Sequence, residues 1–108
     1  DSEYHHTHLH PNSILSGVLY LQANPEVDSI TFHKPQSDFF EISPTKYEVY
    51  NSGQWIFPVN TGLLFIFPSS LYHSVSTKKG GTERISLSFN TFFKGKIGTE
   101  KDLTELII

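Results

Sequence analysis

The sequence contains no cysteine, so neither a disulfide framework nor a thiolate metal site can form. No apolar run approaches the roughly 18 residues that a membrane-spanning helix needs. The formal net charge is −3, and the charges are spread along the chain without a basic stripe, which argues against nucleic acid as a partner. The absence of cysteine is compatible with a reducing compartment, and we expect a cytoplasmic location.

Aromatic residues, by contrast, are abundant: the 108 residues include nine Phe, five Tyr and one Trp. A chain of this length suffices for one compact domain and is too short for two, so we predict a single domain over residues 1–108. β-branched and aromatic residues dominate the apolar runs, and these residue types favour strands over helices.

Strand-like segments follow one another along the chain, and Gly, Pro or Asn turn residues separate them. We predict strands at 13–22, 29–33, 47–50, 54–59, 63–67, 71–76 and 84–92, and a helical turn or a last strand within 99–108. Many short strands at regular spacing indicate an all-β sandwich or barrel. In the last long segment the apolar side chains of Ile85, Leu87 and Phe89 share one face, and a polar set shares the other (Arg84, Ser86, Ser88 and Asn90).

Histidines cluster ahead of the first predicted strand, at His6, His8 and His10. Residues i and i+2 of an extended chain point to the same side, about 6.6 Å apart. Two imidazoles so placed can converge on one metal ion, and any adjacent pair of the three would serve. Solvated surface histidines are the alternative. A purification tag is a further alternative, against which the irregular spacing and the direct continuation into an apolar strand argue.

A lone histidine, His73, follows a buried strand and a Pro-bounded turn. The spacing of Gly62, Pro68 and His73 is similar to the second cupin motif, in which double-stranded β-helix proteins deliver their distal metal ligand, with Ser70 at the usual Gly position. A packed core histidine is the alternative. Together with a His-x-His pair upstream, this spacing favours His73 as a metal ligand.

The only arginine, Arg84, follows His73 by eleven residues. Arginine binds carboxylates bidentately, and Ser86, at the next position on the same strand face, can add a hydroxyl donor. The alternative is a surface arginine paired with Glu83 or Glu105.

Three ordered blocks resemble a family of 2-oxoglutarate- and Fe(II)-dependent oxygenases: His8-x-His10-Pro-Asn-Ser-Ile-Leu-Ser-Gly-Val-Leu-Tyr20, Phe67-Pro-Ser-x-Leu-x-His73-Ser-Val75 and Glu83-Arg-Ile-Ser-Leu-Ser-Phe-Asn90. The resemblance covers nearly the whole chain. It implies a double-stranded β-helix, that is, a jelly-roll or cupin-like barrel, here expected without part of the N-terminal segment that usually braces it. It also implies Fe(II) as the metal and 2-oxoglutarate as the cosubstrate, which is decarboxylated to succinate while an unidentified substrate is hydroxylated.

The resemblance further implies roles for the cosubstrate side of the site. Arg84 and Ser86 would hold the distal carboxylate of 2-oxoglutarate, and Tyr20 lies where related prolyl hydroxylases carry a tyrosine that bonds the same group. Asn12 and His33 are candidates for the substrate side.

The metal ligands depart from the family pattern. The usual set is His-x-Asp/Glu followed by a distal His, but His10 occupies the acidic place. We therefore predict three-histidine ligation by His8, His10 and His73, with His6 in reserve. A carboxylate from Asp1, Glu3 or Asp28 is the remaining alternative.

Two other functions fit the same residues. One is a non-catalytic cupin-like module that binds a metal and a small ligand, and the other is a three-histidine dioxygenase that does not use 2-oxoglutarate. A third alternative is a degenerate oxygenase with a purely structural role, because the segment that usually braces the barrel is expected to be missing. A partner subunit could replace that segment, since exposed barrel edges invite pairing, and a homodimer is expected on that ground.

Overall fold

The computed structural model describes residues 5–35, 43–78 and 80–108. Every strand in these ranges pairs antiparallel. The described residues contain no helix of the length and apolarity needed to cross a membrane. The strands are β1 (His5–His8), β2 (Leu15–Gln22), β3 (Ser29–His33), β4 (Gln54–Pro58), β5 (Leu64–Pro68), β6 (Tyr72–Val75), β7 (Ile85–Asn90), β8 (Lys96–Ile97) and β9 (Leu106–Ile107).

Two sheets share the first seven strands. One has the order β1-β6-β3-β4 and the other the order β5-β2-β7, while β8 and β9 pair with each other as a hairpin. Apart from the step from β3 to β4, each connection between consecutive strands from β1 to β7 crosses from one sheet to the other. Such crossing is typical of a jelly roll, so the predicted all-β, jelly-roll class is confirmed.

The core lies between the two sheets because alternate side chains of β2 and β3 point inward. Val18 and Tyr20 of β2 are buried, as are Ile30 and Phe32 of β3. The rings of Phe32 and Phe67 connect the sheets, with centroids 4.9 Å apart. Full burial of such a side chain contributes roughly 1.5–3 kcal/mol, so these few contacts help to hold the two sheets together.

The outer face of the β5-β2-β7 sheet is also apolar. Leu64 and Ile66 on β5 are 48% and 59% exposed, and Leu87 on β7 is 57% exposed. The predicted alternation of β7 is therefore correct: its polar residues lie opposite the buried Ser16, Val18 and Tyr20 of β2, and its apolar residues lie on the outer face. No strand pairs with the second edge of β7 among the described residues, and the homodimer stays a prediction.

The structure corrects one predicted strand and decides between two alternatives at the C-terminal end. The segment 47–50 is not a strand, because a turn held by side chains forms there: the backbone N–H of Glu48 donates to Oδ1 of Asn51, and Ser52 returns a hydroxyl bond to the Glu48 carbonyl. Within 99–108 the structure forms the strand β9 and not a helical turn. The other predicted strands end within two residues of the observed bounds.

Candidate active site

Three histidines meet where β1 and β6 pair. The register places His8 opposite His73, and the backbone N–H of His10 donates to the carbonyl of Ser69 in the turn that precedes β6. The ring centroids are 4.3 Å apart for His8 and His73, 5.0 Å for His8 and His10, and 5.2 Å for His10 and His73. One ring nitrogen of each lies within 4.8 Å of the others, which is the geometry of a group that could hold a metal ion.

Backbone carbonyls fix the tautomer of two of these rings. Nδ1 of His8 lies 2.6 Å from the carbonyl oxygen of His6, and Nδ1 of His73 lies 3.1 Å from that of Leu71. A carbonyl oxygen only accepts, so each neutral ring carries its proton on Nδ1 and leaves Nε2 unprotonated. Metal-binding histidines are oriented in this way, by a hydrogen bond from the nitrogen that does not face the metal.

The local environment favours neutral imidazoles. Burial lowers the pKa of His73, and the charges of neighbouring histidines lower it further against an opposing hydrogen bond to Leu71. Burial and the charge of His8 lower the pKa of His10. Neutral imidazole is the form that binds metal ions, so the cluster is suited to that task.

The described residues add no carboxylate to this cluster. Asp28, one of the predicted alternatives, is directed instead toward Lys78 and Arg84. The other carboxylate candidates, Asp1 and Glu3, lie outside the described residues. The reserve ligand His6 is exposed and is not a member of the group.

A cavity of about 350 Å³ opens between the sheets beside the histidines. All three histidines contribute to its wall, together with side chains from β2, β3, β5, β6 and β7. The lining also includes Ser16, Val18, Tyr20, Ile30, Phe67, Arg84, Ser86 and Asn90.

Arg84 lies at one end of this cavity, where hydrogen bonds from Nη1 to Asp28 and Ser76 hold it. Nη1 donates to Oδ1 of Asp28 at 3.3 Å and to the carbonyl of Ser76 at 2.9 Å. Arg84 is therefore not a surface residue paired with Glu83 or Glu105, because its ion pair is with the buried Asp28. Glu105 pairs with Lys96 instead.

Tyr20 adds a hydroxyl at the same end. The residue is 1% exposed, and its hydroxyl is the one buried side-chain polar atom without a hydrogen-bond partner in the described part of the chain. Burial raises the pKa of Tyr20, whereas the charge of Arg84 lowers it. Ser86 pairs with Tyr20 across β2 and β7. A buried hydroxyl without a partner is costly, by about 1–3 kcal/mol, and indicates a place for a bound acceptor.

A chain of hydroxyls, which the sequence patterns did not indicate, lies at the other end. Ser13 lies 2.7 Å from Ser69, and Ser69 lies 2.8 Å from Ser16. The Ser16 hydroxyl donates to Oδ1 of Asn90 at 2.7 Å. The one available signal was the placement of Ser16 and Asn90 at inward positions of their strands, where an apolar residue is usual.

The two candidates for the substrate side lie away from this lining. Asn12 is exposed in the turn between β1 and β2 with a φ of 64°. Nε2 of His33 forms a hydrogen bond with the Ser74 hydroxyl at 3.1 Å. The charge of His33 makes the smallest contribution to lowering the pKa of His73. Neither side chain belongs to the cavity wall in the described residues.

Residues 1–90 match the sequence model of the family described as "Putative 2OG-Fe(II) oxygenase". No curated protein matches the chain. The matched range includes every residue of the histidine cluster and of the cavity, and the β8–β9 hairpin lies beyond it.

Proposed function

The chain belongs to this 2OG-Fe(II) oxygenase family, and on that premise we propose that it is an Fe(II)- and 2-oxoglutarate-dependent dioxygenase that hydroxylates a still unidentified substrate. The observation that carries the proposal is the shared cavity. Three histidines with metal-binding geometry lie on its wall, and a buried hydroxyl without a partner lies on the same wall beside the only arginine.

The histidine cluster fits Fe(II). His8, His10 and His73 would hold the ion through ring nitrogens, on one side, which leaves the other side open to the cavity. Three neutral imidazoles leave the ion its full double charge, where a carboxylate ligand would reduce that charge by one. We expect the site to retain the metal less firmly than a carboxylate-containing site and to attract an anionic cosubstrate more strongly.

The opposite end fits the distal carboxylate of 2-oxoglutarate. Arg84 supplies a planar, permanently charged donor, and Tyr20 and Ser86 supply hydroxyls from the facing positions of β2 and β7. A bound carboxylate would accept a hydrogen bond from the Tyr20 hydroxyl, which has no partner otherwise. Charge-assisted hydrogen bonds of this kind are about twice as strong as neutral ones.

When bound, Fe(II) and 2-oxoglutarate supply the oxidative chemistry of the family, in which O2 is consumed, 2-oxoglutarate becomes succinate and CO2, and a C–H bond is hydroxylated. The chain's own residues position these partners. Val18, Ile30 and Phe67 form apolar walls between the two polar ends and keep bulk water from the reacting groups.

The primary substrate would approach from the side away from Arg84. Ser16 and Asn90 present polar groups at that end of the cavity, and Asn12 and His33 remain proposed contacts beyond its wall.

A second function is favoured by the ligand set itself. Three histidines without a carboxylate, among the described residues, also suit a dioxygenase that uses O2 without 2-oxoglutarate. Such an enzyme has no need for the arrangement of Tyr20 and Arg84.

Succinate formation tests the proposal and separates the two functions. Fe(II)-loaded protein incubated with 2-oxoglutarate, O2 and ascorbate should release succinate slowly even without a primary substrate, because ascorbate supplies the two electrons that reduce the second oxygen atom to water. Arg84→Met should abolish that release, and Lys96→Met, which removes a surface cation, should leave it unchanged. Absence of succinate from a wild-type protein that binds Fe(II) would overturn the proposal and favour the second function.

A further inference from the structure

Asp28 is a buried carboxylate that the proposed function leaves unused. Its side chain has no exposed area, and it accepts hydrogen bonds from three directions. The backbone N–H of Asn24 donates to it at 2.9 Å, Nζ of Lys78 at 3.2 Å and Nη1 of Arg84 at 3.3 Å. A buried charge needs such partners, and here two of them are cations.

The turn before β3 holds this carboxylate in place. The backbone N–H of Asp28 donates to the carbonyl of Asn24 at 2.8 Å, and the Asn24 side chain accepts from the N–H of Glu26 at 3.0 Å. Asp28 is therefore fixed by backbone as well as by its ion pairs, and it can act as an anchor for a longer and more mobile side chain.

Arg84 is anchored on one edge only. All its hydrogen bonds within the described residues leave from Nη1, to Asp28 and to Ser76. The guanidinium is planar and rigid, so the fixing of one nitrogen orients the remaining donors, Nε and Nη2. Arg84 also forms part of the cavity wall, which makes those donors the ones available to a ligand.

Ser76 connects this anchor to the histidine cluster. It follows β6, the strand that carries His73, by one residue. Three residue steps of extended chain lead from His73 to Ser76, which is about 10 Å. Because Arg84 is bonded to Ser76 and Asp28 together, its distance from the candidate metal position is set by a rigid strand.

Lys78 explains how Arg84 can be anchored without being neutralised. Asp28 and Arg84 alone would form a neutral pair, and the carboxylate of Asp28 would compete with that of a ligand. Lys78 shares the same carboxylate through both oxygens. The three groups together carry a net charge of one positive unit, which one ligand carboxylate balances.

We propose that Asp28 and Lys78 are positioning residues that hold Arg84 at one fixed distance from the metal-binding histidines, and that they thereby select a five-carbon 2-oxo diacid over shorter and longer ones. This inference rests on the proposed function, since it assumes that Arg84 binds the distal carboxylate. Neither Asp28 nor Lys78 is expected to touch the cosubstrate.

The test compares the length preference of the site in wild-type and variant proteins. Fe(II)-loaded protein under nitrogen is titrated calorimetrically with oxaloacetate, 2-oxoglutarate and 2-oxoadipate, which have four, five and six carbons, and with pyruvate, which lacks a distal carboxylate. Wild type should prefer 2-oxoglutarate by about tenfold or more over the other diacids, as one methylene is commonly worth that much. Asp28→Asn should reduce the preference to within about threefold and leave pyruvate affinity unchanged.

Lys78→Met provides a second variant in case Asp28→Asn fails to fold. It keeps the pair of Asp28 and Arg84, so 2-oxoglutarate affinity should fall because Asp28 then competes for the guanidinium. Lys96→Met is the matched control on an exposed ion pair. A folded Asp28→Asn protein that keeps the wild-type length preference, or a Lys78→Met protein that keeps the wild-type 2-oxoglutarate affinity, would overturn the inference.

Arg84→Met separates this inference from the proposed function. If that variant loses affinity for 2-oxoglutarate but not for pyruvate, the cosubstrate site stands, and the results with Asp28 and Lys78 decide the inference alone. If wild type itself fails to bind 2-oxoglutarate, or if Arg84→Met binds it normally, the proposed function falls and the inference falls with it.

Discussion

His8 lies directly opposite His73 across the β1–β6 ladder, with the two imidazole centroids 4.3 Å apart. The two residues are far apart in sequence, so the pairing of strands brings them together. Each ring also donates Nδ1–H to a carbonyl two residues before it. The sheet thus places both rings and fixes their tautomers before any metal is bound.

Loss of one of these rings should weaken metal binding, an effect that can be measured without any catalytic assay. We expect His73→Ala and His8→Ala to lower Co(II) affinity by at least about 100-fold, the upper end of what loss of a supporting hydrogen bond to a ligand costs. Calorimetric titration of the metal alone measures this. His33→Ala, which removes a histidine outside the group, should bind as wild type does.

The same titration identifies the third ligand. His10→Ala should weaken binding as strongly as His8→Ala, and His6→Ala should have little effect, because the structure brings His10 and not His6 to the cluster. A strong loss with His6→Ala and none with His10→Ala would contradict this assignment.

Tyr20→Phe should raise the stability of the protein and weaken its binding of 2-oxoglutarate. Removal of a buried hydroxyl that lacks a partner should raise the unfolding free energy of the ligand-free protein by about 1 kcal/mol, while affinity for 2-oxoglutarate falls about tenfold. Chemical denaturation and calorimetry measure the two effects. Tyr50→Phe, at a fully solvated tyrosine, is the control, and a destabilised Tyr20→Phe protein would show that the hydroxyl has a structural partner.

Asp28 should make the stability of the metal-free protein depend on pH in the acid range. Burial raises its pKa, but the hydrogen bonds from Asn24 and Lys78 and the charges of Lys78 and Arg84 outweigh this and lower it below the ordinary value of 3.8. The contribution of ionised Asp28 to the free energy of unfolding is therefore complete above pH 3.8. It is lost as pH falls through the lower pKa that Asp28 has in the folded state.

Asp28→Asn measures this contribution. At neutral pH it should cost roughly 3 kcal/mol, as expected when one partner of a buried ion pair is removed. The difference from wild type should shrink once Asp28 of the wild type is protonated. A difference that stays constant down to strongly acid pH, or that Asp102→Asn reproduces, would refute the role of the charge.

A side chain at Gly17 should be unfavourable, because the ring of Phe89 from the paired strand occupies the place where a Cβ would stand. Gly17→Ala would displace that ring and should destabilise the protein by about 1–2 kcal/mol. Thermal unfolding checks this. Gly53→Ala, at a glycine with open space around its Cβ position, should be neutral within experimental error.

Local patterns in the sequence predicted where several of the candidate side chains lie, and the roles of these side chains stay predictions. The i, i+2 spacing of His8 and His10 and the Pro-bounded approach to His73 indicated a shared position, and the structure brings the three rings together. The alternation of β7 likewise indicated that Arg84 and Ser86 share a face, and both line the cavity.

Contacts between distant segments could not be predicted in the same way. Asp28 looked like a possible metal ligand because the sequence does not show that Lys78 and Arg84, fifty and more residues later, fold against it. The strand predicted at 47–50 failed for a different reason. Its four-residue alternation is short, and the side-chain bonds of Asn51 and Ser52 to Glu48 stabilise a turn in its place.

An anaerobic titration of Fe(II)-loaded protein with 2-oxoglutarate tests the proposed oxygenase function most directly. It is followed by the visible charge-transfer absorption that arises when a 2-oxo acid chelates Fe(II). We expect such a band in wild type, its loss in His73→Ala, and a shift to much higher 2-oxoglutarate concentrations in Arg84→Met. Fe(II) binding without the band in wild type, with Arg84→Met indistinguishable from it, would refute the oxygenase function and leave a metal-binding protein that does not use 2-oxoglutarate.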